Sequence, residues 1–230
     1  QGHWVHRYEN GEQEKEGEYI DGKEHGLWIF WYDNGDKKKE TEYINGKIHG
    51  RWLHWYKDGG KWGEGEIKND RRHGHWRWWY RNGSPMFNGV FKNDKPDGQW
   101  HHWFQNGLPR YKGQFKKGKK HGYWIKWYET GEIRYEEIYI KDMRNGMWKN
   151  YHDNGNVRYE GQYIDDVPQG TWTRWHKNGA KSEEGEYIDG VRTGTWMSWY
   201  DSGQKKEIGE YLNGRRNGTW KQWDRNGQLI

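Results

Sequence analysis

Aromatic and polar positions alternate along this chain in a pattern that returns every 24 residues, ten times, without insertion or deletion. Numbering each unit from its first glycine starts the units at residues 2, 26, 50, 74, 98, 122, 146, 170, 194 and 218. Position 3 is Trp in every unit: Trp4, Trp28, Trp52, Trp76, Trp100, Trp124, Trp148, Trp172, Trp196 and Trp220. Position 10 is always Gly, including Gly35, Gly59, Gly83, Gly107, Gly131, Gly155, Gly179 and Gly203. Position 6 is Trp in eight units, with Arg7 and Tyr151 as exceptions. Short aromatic-rich segments bounded by turn residues predict β-strands. Asn precedes the position-10 Gly in seven units, and Asn-Gly between such segments predicts a two-residue hairpin turn with both residues at positive φ. A second turn is predicted at positions 20–21, as in Asp21-Gly22 and Asn45-Gly46. Each unit therefore reads as two strands and two turns. A fixed period of this length marks an array whose units bury their apolar faces on their neighbours. The expected fold is all-β: one elongated, twisted antiparallel meander, continuous over residues 1–230 and roughly 95 Å long at about 4.8 Å per strand.

A two-residue turn at positions 9 and 10 makes paired positions sum to 19, which sets Trp at 3 opposite position 16. That position is Gly17, Gly65, Gly89, Gly113, Gly161, Gly185 or Gly209 in seven units. An indole over a cross-strand glycine covers bare backbone and supports a residue that is otherwise weak in a strand. The strand period of two then puts Trp 3, Tyr 7, Gly 16 and the ring at 18 on one face. Trp 6 and the frequent Ile at 19 fall on the other. Trp 3 is expected in the core and Trp 6 nearer solvent. Thr41 and Glu137 replace the position-16 Gly, while Asp70, Asp94, Asp142 and Asp166 replace the second-turn Gly. Asp tolerates the left-handed conformation, so those turns are expected to survive.

Composition changes the picture in one respect. With only 30% hydrophobic residues the chain would pass for disordered, but 20 Trp and 17 Tyr supply large rings that each bury roughly 150–250 Å². The core must be aromatic and distributed along the array. No cysteine is present, which excludes disulfides and thiolate metal sites. There is no apolar run long enough for a membrane-spanning helix. The start at Gln1, on the last position of a repeat, and the stop at Ile230 within a unit are expected of a mature or excised segment of a longer chain.

The segment Gly17-Glu18-Tyr19-Ile20-Asp21-Gly22-Lys23-Glu24-His25-Gly26-Leu27-Trp28 resembles a MORN repeat, and Tyr159-Glu160-Gly161-Gln162-Tyr163 is similar to that family's opening motif. The stretch from Trp28 to Gly35 is similar to the bacterial variant of the repeat, which often carries an antitoxin label. The resemblance covers all 230 residues. It implies a row of hairpins serving as a scaffold for assembly or partner binding, with phospholipids linked to some members.

Candidate chemistry is sparse. Four units end in His-Gly (His25, His49, His73 and His121), yet equivalent positions lie two strands apart, roughly 9–10 Å. Zinc needs ligand atoms within about 2.0–2.3 Å of one centre, so one histidine per repeat builds no shared site. They read as turn-supporting or surface histidines. The adjacent His101 and His102 point to opposite faces. Ser84, Ser182, Ser198 and Ser202 lack a regular His and acid partner, and there is no P-loop. No enzyme activity, cofactor or metal is expected.

Charge is uneven. Residues 60–126 hold fifteen Lys/Arg and five Asp/Glu, in a chain whose net charge is +5. Basic residues interleaved with rings suit a polyanion. The candidate binding surface is Arg71, Arg72, Arg77, Trp78, Arg81, Lys116, Lys117, Lys119 and Lys120. The expected function is a non-enzymatic scaffold for protein–protein interaction or self-association through faces or open edges. A glycan- or anionic-lipid-binding module is the alternative, and an antitoxin or immunity protein the second. Nucleic acid is not the expected partner. The bacterial envelope or extracellular space is favoured over the cytoplasm.

Overall fold

A computed structural model describes residues 1–230. The protein is all-β, antiparallel and built from repeated hairpins, in two compact units, Gln1–Lys119 and Lys120–Ile230. The first unit contains β1 (Gly2–Arg7), β2 (Gln13–Ile20), β3 (Lys23–Trp31), β4 (Lys37–Ile44), β5 (Lys47–Trp55), β6 (Lys61–Lys68), β7 (Arg71–Trp79), β8 (Pro85–Lys92), β9 (Lys95–Trp103) and β10 (Pro109–Lys116). Each strand pairs with the next in chain order. The second unit repeats the plan with β11 (Lys119–Trp127), β12 (Ile133–Ile140), β13 (Met143–Arg144), β14 (Gly146–Tyr151), β15 (Val157–Ile164), β16 (Val167–Trp175), β17 (Lys181–Ile188), β18 (Val191–Trp199), β19 (Lys205–Leu212) and β20 (Arg215–Gln222). Its strands also pair in sequence, except that the short β13 and β14 follow one another along the same neighbour, β12.

The register is the expected one, with Trp28 opposite Thr41 and Trp76 opposite Gly89, but the first turn reaches it differently. The Asn-Gly turn is not a two-residue turn. Gly35 donates to the Tyr32 carbonyl at 3.0 Å and Tyr32 donates to the Asp36 carbonyl at 2.8 Å. Gly35 alone has positive φ, +84°, while Asn34 does not. This is a three-residue type I turn closed by a left-handed glycine. Asn supports it from its side chain instead, its Oδ1 accepting the Asp36 N–H at 3.2 Å. The flanking ladder then absorbs one extra residue, Lys38, opposite the step from Phe30 to Trp31, which restores the pairing that a two-residue turn would have produced. The second turn is the two-residue kind, with Asp21 at φ +50° and Gly22 at +74°. Asn69-Asp70 adopts the same conformation at +51° and +63°, so the aspartate-for-glycine exchanges keep the turn. Asp70 adds a bond, its carboxylate accepting the Ile48 N–H at 2.8 Å.

The position-1 glycine sits at a break in the ladder. Gly26 has φ +68°, and the β2–β3 register slips between Glu16 and Glu18. Trp28 thereby crosses onto Gly17 of the preceding hairpin. A Cβ added to Gly17 would lie 2.2 Å from the Trp28 ring, and the same holds for Gly65 under Trp76 and Gly161 under Trp172. The expected indole-on-glycine contact is present, but each ring covers the glycine of the preceding repeat. Trp28, Trp76, Trp100, Trp172 and Trp196 are buried by it, each burial worth a few kcal/mol of apolar transfer. Trp52 and Trp148 are only half-buried. They follow Thr41 and Glu137, whose side chains are themselves buried in the glycine's place. Trp52 instead lies against Trp62 and Trp76, near Gly63, whose lack of a side chain makes room for it.

Candidate interaction edge

The two broad faces of each unit differ in chemistry because positions of opposite parity differ. On one face lie Trp 3, the rings at 14 and 18, and a recurring cation at position 23. Arg72 stands over Phe91 at 4.0 Å and pairs with Asp94 at 3.0 Å. Arg144 stands over Tyr163 at 3.9 Å and pairs with Asp166 at 2.7 Å. That carboxylate is held below the usual range by the bonds from Arg144. The other face carries glutamates at positions 15 and 17, as with Glu64 and Glu66, and the half-buried Trp 6 rings, as with Trp79. Glu64 binds Lys61 at 3.0 Å and Arg77 at 3.4 Å.

The first-turn edge is occupied by contacts between repeats. Tyr8, Tyr32, Tyr56 and Tyr80 donate their hydroxyls to the carbonyls of Trp31, Trp55, Trp79 and Trp103 at 2.8–2.9 Å. In the second unit His152 and His176 keep the same contact through Nε2 at 3.0 Å. Asn10 and Asn82 reach the carbonyls of Asp33 and Gln105 in the same way.

The histidines build no metal centre, since no three His, Cys, Asp or Glu side chains come together. His25, His49 and His73 are half-buried rather than surface residues, with Nδ1 closed off from solvent. His101 stacks near Trp103 at 5.8 Å and His102 on Tyr111 at 4.9 Å. Burial pushes both imidazole pKa values down.

The nine candidate surface residues are not one patch. Trp78 is 7% exposed, packed on Trp76 and Phe87, and offers no ring to a ligand. Arg72 lies on the aromatic face and Arg77 on the glutamate face. Arg81 lies at the first-turn edge between Asp58 at 3.5 Å and Tyr56 at 5.3 Å. Lys120 belongs to the second unit, 4.7 Å from the Trp124 ring centre and 4.5 Å from that of Tyr139. Arg71, Lys116, Lys117 and Lys119 alone share a location, the second-turn edge, and all are exposed.

Composition of the middle region did not point to what else stands on that edge. Positions 19 and 22 flank each second turn, as cross-strand partners in Lys68↔Arg71 and Lys92↔Lys95. Lys116 and Lys119 flank the next second turn, so cations stand on both sides of three consecutive turns. The sequence signal was there, in the identity of positions 19 and 22 taken repeat by repeat. In the second unit the same positions are Ile140 with Met143, Ile164 with Val167, and Ile188 with Val191. These six side chains are 37–54% exposed.

The sequence model of the MORN repeat variant matches residues 24–45, 72–93, 120–141, 144–165, 192–213 and 216–230, more than half of the chain. The chain belongs to the MORN repeat variant family. MORN-repeat scaffolds carry no catalytic machinery, and this MORN-variant array has neither cysteine nor a cluster of metal-ligating residues. It is an all-β repeat scaffold. None of its elements is a helix long and apolar enough to cross a membrane. No curated protein matches the array in sequence. Among solved structures it is similar to a chain in the crystal structure of TcdB2-TccC3 at 8% identity, covering 99% of this chain and 17% of that one, with a TM-score of 0.23. A chain in TcdB2-TccC3-Cdc42 gives 7%, 96%, 14% and 0.23. The MORN-variant array spans less than a fifth of either.

Proposed function

We propose that this MORN-variant array is an interaction scaffold that holds a protein partner along its second-turn edge. The observation that carries the reading is that positions 19 and 22 change chemistry in blocks while the frame does not. They are cationic from Lys68 to Lys119 and apolar from Ile140 to Val191. Turns presented by a rigid scaffold are where binding residues concentrate. At the first turn the Tyr and Asn side chains are taken up by contacts between repeats, whereas those at positions 19 and 22 are exposed. The test is native capture followed by mass spectrometry, with wild-type protein and a variant carrying Ser at Lys68, Arg71, Lys92, Lys95, Lys116 and Lys119. The expected result is a set of proteins retained by the first and lost by the second. Identical recovery from both would overturn the edge as the binding surface.

A second reading rests on the aromatic face of the second unit. Trp148, Tyr159, Tyr163 and Trp172 line a groove of about 640 Å³ together with Arg144, Arg158 and Arg174. Glu137 keeps Trp148 off its seat and so helps to hold the groove open. Rings with flanking guanidinium groups suit a saccharide bearing carboxylates. Titration of uronate oligosaccharides should change the indole fluorescence in wild type and not in Trp148→Ala. An unchanged spectrum in wild type would remove this reading.

A further inference from the structure

The cationic rungs have a spacing and a setting that define the chemistry of the partner, granted the scaffold reading above. We infer that the edge formed by Lys68/Arg71, Lys92/Lys95 and Lys116/Lys119 binds an extended acidic peptide with a carboxylate at every third residue. All six side chains are exposed, and none has an ion-pair partner. Nearby cations are paired, as in Lys61–Glu64, Arg72–Asp94 and Arg81–Asp58. Two of the rungs set like charges directly opposite each other, an arrangement that costs stability in a sheet. Flanking hairpins avoid it by placing Ile20 opposite Lys23 or Ile44 opposite Lys47.

Carboxylates beside the row thin out along it. Position 17 on this face is Glu66 next to Lys68, after Glu18 and Glu42 in the preceding repeats, and then Val90 and Gln114 beside the second and third pairs. Asp97 is turned onto the Lys117 N–H at 3.4 Å, and Asp94 onto the Arg72 N–H and Nε at 3.0 Å. The row is thus a built concentration of unpaired positive charge.

Its pitch selects the ligand. Successive hairpins advance by two strands, about 9.4–9.8 Å. A polyproline II segment has three residues per turn and about 3.1 Å per residue, so every third side chain recurs at about 9.3 Å on one side. A carboxylate at that interval meets one rung per turn. A flat anionic bilayer fits less well, because the turn apices also carry the exposed carboxylates of Asp70 and Asp94. Single-stranded nucleic acid fits less well because the rings close to the rungs, Trp76, Trp100 and Phe91, are buried and offer no stacking platform.

The experiment uses the full chain and an 18-residue fluorescent peptide, (Glu-Pro-Pro) repeated, with binding read by anisotropy in low and high salt. A peptide of equal composition with all its Glu at one end, oligothymidylate, and phosphatidylcholine vesicles containing phosphatidylserine are the comparators. The repeating peptide should bind at least fivefold more tightly than the blocked one. Lys92→Ser/Lys95→Ser should weaken it about tenfold, while Lys57→Ser/Lys61→Ser, which removes the same charge from the first-turn side, should leave it nearly unchanged. Equal affinity for the two peptides, equal loss in the two variants, no binding in low salt, or tighter binding of the oligonucleotide or the vesicles would each overturn the proposal. If the peptide fails while the six-residue edge variant still loses its captured proteins, the scaffold reading stands and only the partner chemistry is wrong.

Discussion

Glu137 occupies a seat that most repeats reserve for glycine, and the consequences spread through its surroundings. Its side chain is 4% exposed, and burial raises its carboxyl pKa, opposed by a 2.8 Å bond from the Tyr139 hydroxyl and by Lys120 and Arg144. An acid whose folded pKa is raised contributes stability that is present below its unfolded pKa, about 4.3, and lost as pH rises through the folded pKa. Glu137→Gly should therefore stabilise the second unit by roughly 1–3 kcal/mol at neutral pH, with a smaller gain at pH 4, where the carboxyl is mostly protonated in both states. The urea midpoint at the two pH values checks this, and the Trp148 emission should shift to the blue as its ring settles on the new glycine. The converse change, Gly65→Ala, sets a Cβ 2.2 Å from the Trp76 ring and should cost about 1–3 kcal/mol or more, again read from the urea midpoint. Pairing of Trp with Gly was legible in the sequence. Which indole lies on which glycine was not, because the crossing depends on Gly26-type bulges, and a count of paired positions carries no sign of them.

At the scale of the hairpin, the strands and the second turns follow directly from local sequence, since Asp-Gly, Asn-Gly and Asn-Asp all accept two left-handed residues. The first turn misled for a physical reason. Asn34-Gly35 suits a two-residue turn equally well, but the Tyr32 hydroxyl and the Asn34 amide are both drawn to carbonyls of the next hairpin, at Trp55 and Lys57. Those bonds accompany the three-residue turn. Tyr56→Phe, which removes the bond to the Trp79 carbonyl, should destabilise by about 0.5–1.5 kcal/mol, seen as a lowered urea midpoint with the far-ultraviolet spectrum unchanged. Lys92→Ile/Lys95→Val, the residue types found at these positions in the second unit, should do the opposite. Removing a like-charge rung should stabilise by about 0.2–1 kcal/mol in low salt, and the gain should shrink once the Debye length falls to roughly 3 Å at 1 M salt.

For the whole molecule, the repeat separates two tasks. Positions 3, 7, 10 and 16 hold the frame, and the exposed side chains at positions 19 and 22 vary on the second-turn edge. The candidate surface was only partly legible because local charge density gathered residues that the fold sends to both faces and both edges. Trp78, Arg72 and Arg81 are taken up by contacts within the fold, whereas Lys68, Lys92 and Lys95, outside that set, complete the row. The most direct measurement of the central claim is site-specific photo-crosslinking in native extract. A benzophenone side chain would replace, one at a time, Arg71, Lys95, Lys119, Met143 and Val167 on the second-turn edge, and Arg51, His75 and Arg158 on the broad faces. The account predicts adducts to a partner protein from the edge positions and none from the faces. Adducts from the faces with a silent edge would contradict it.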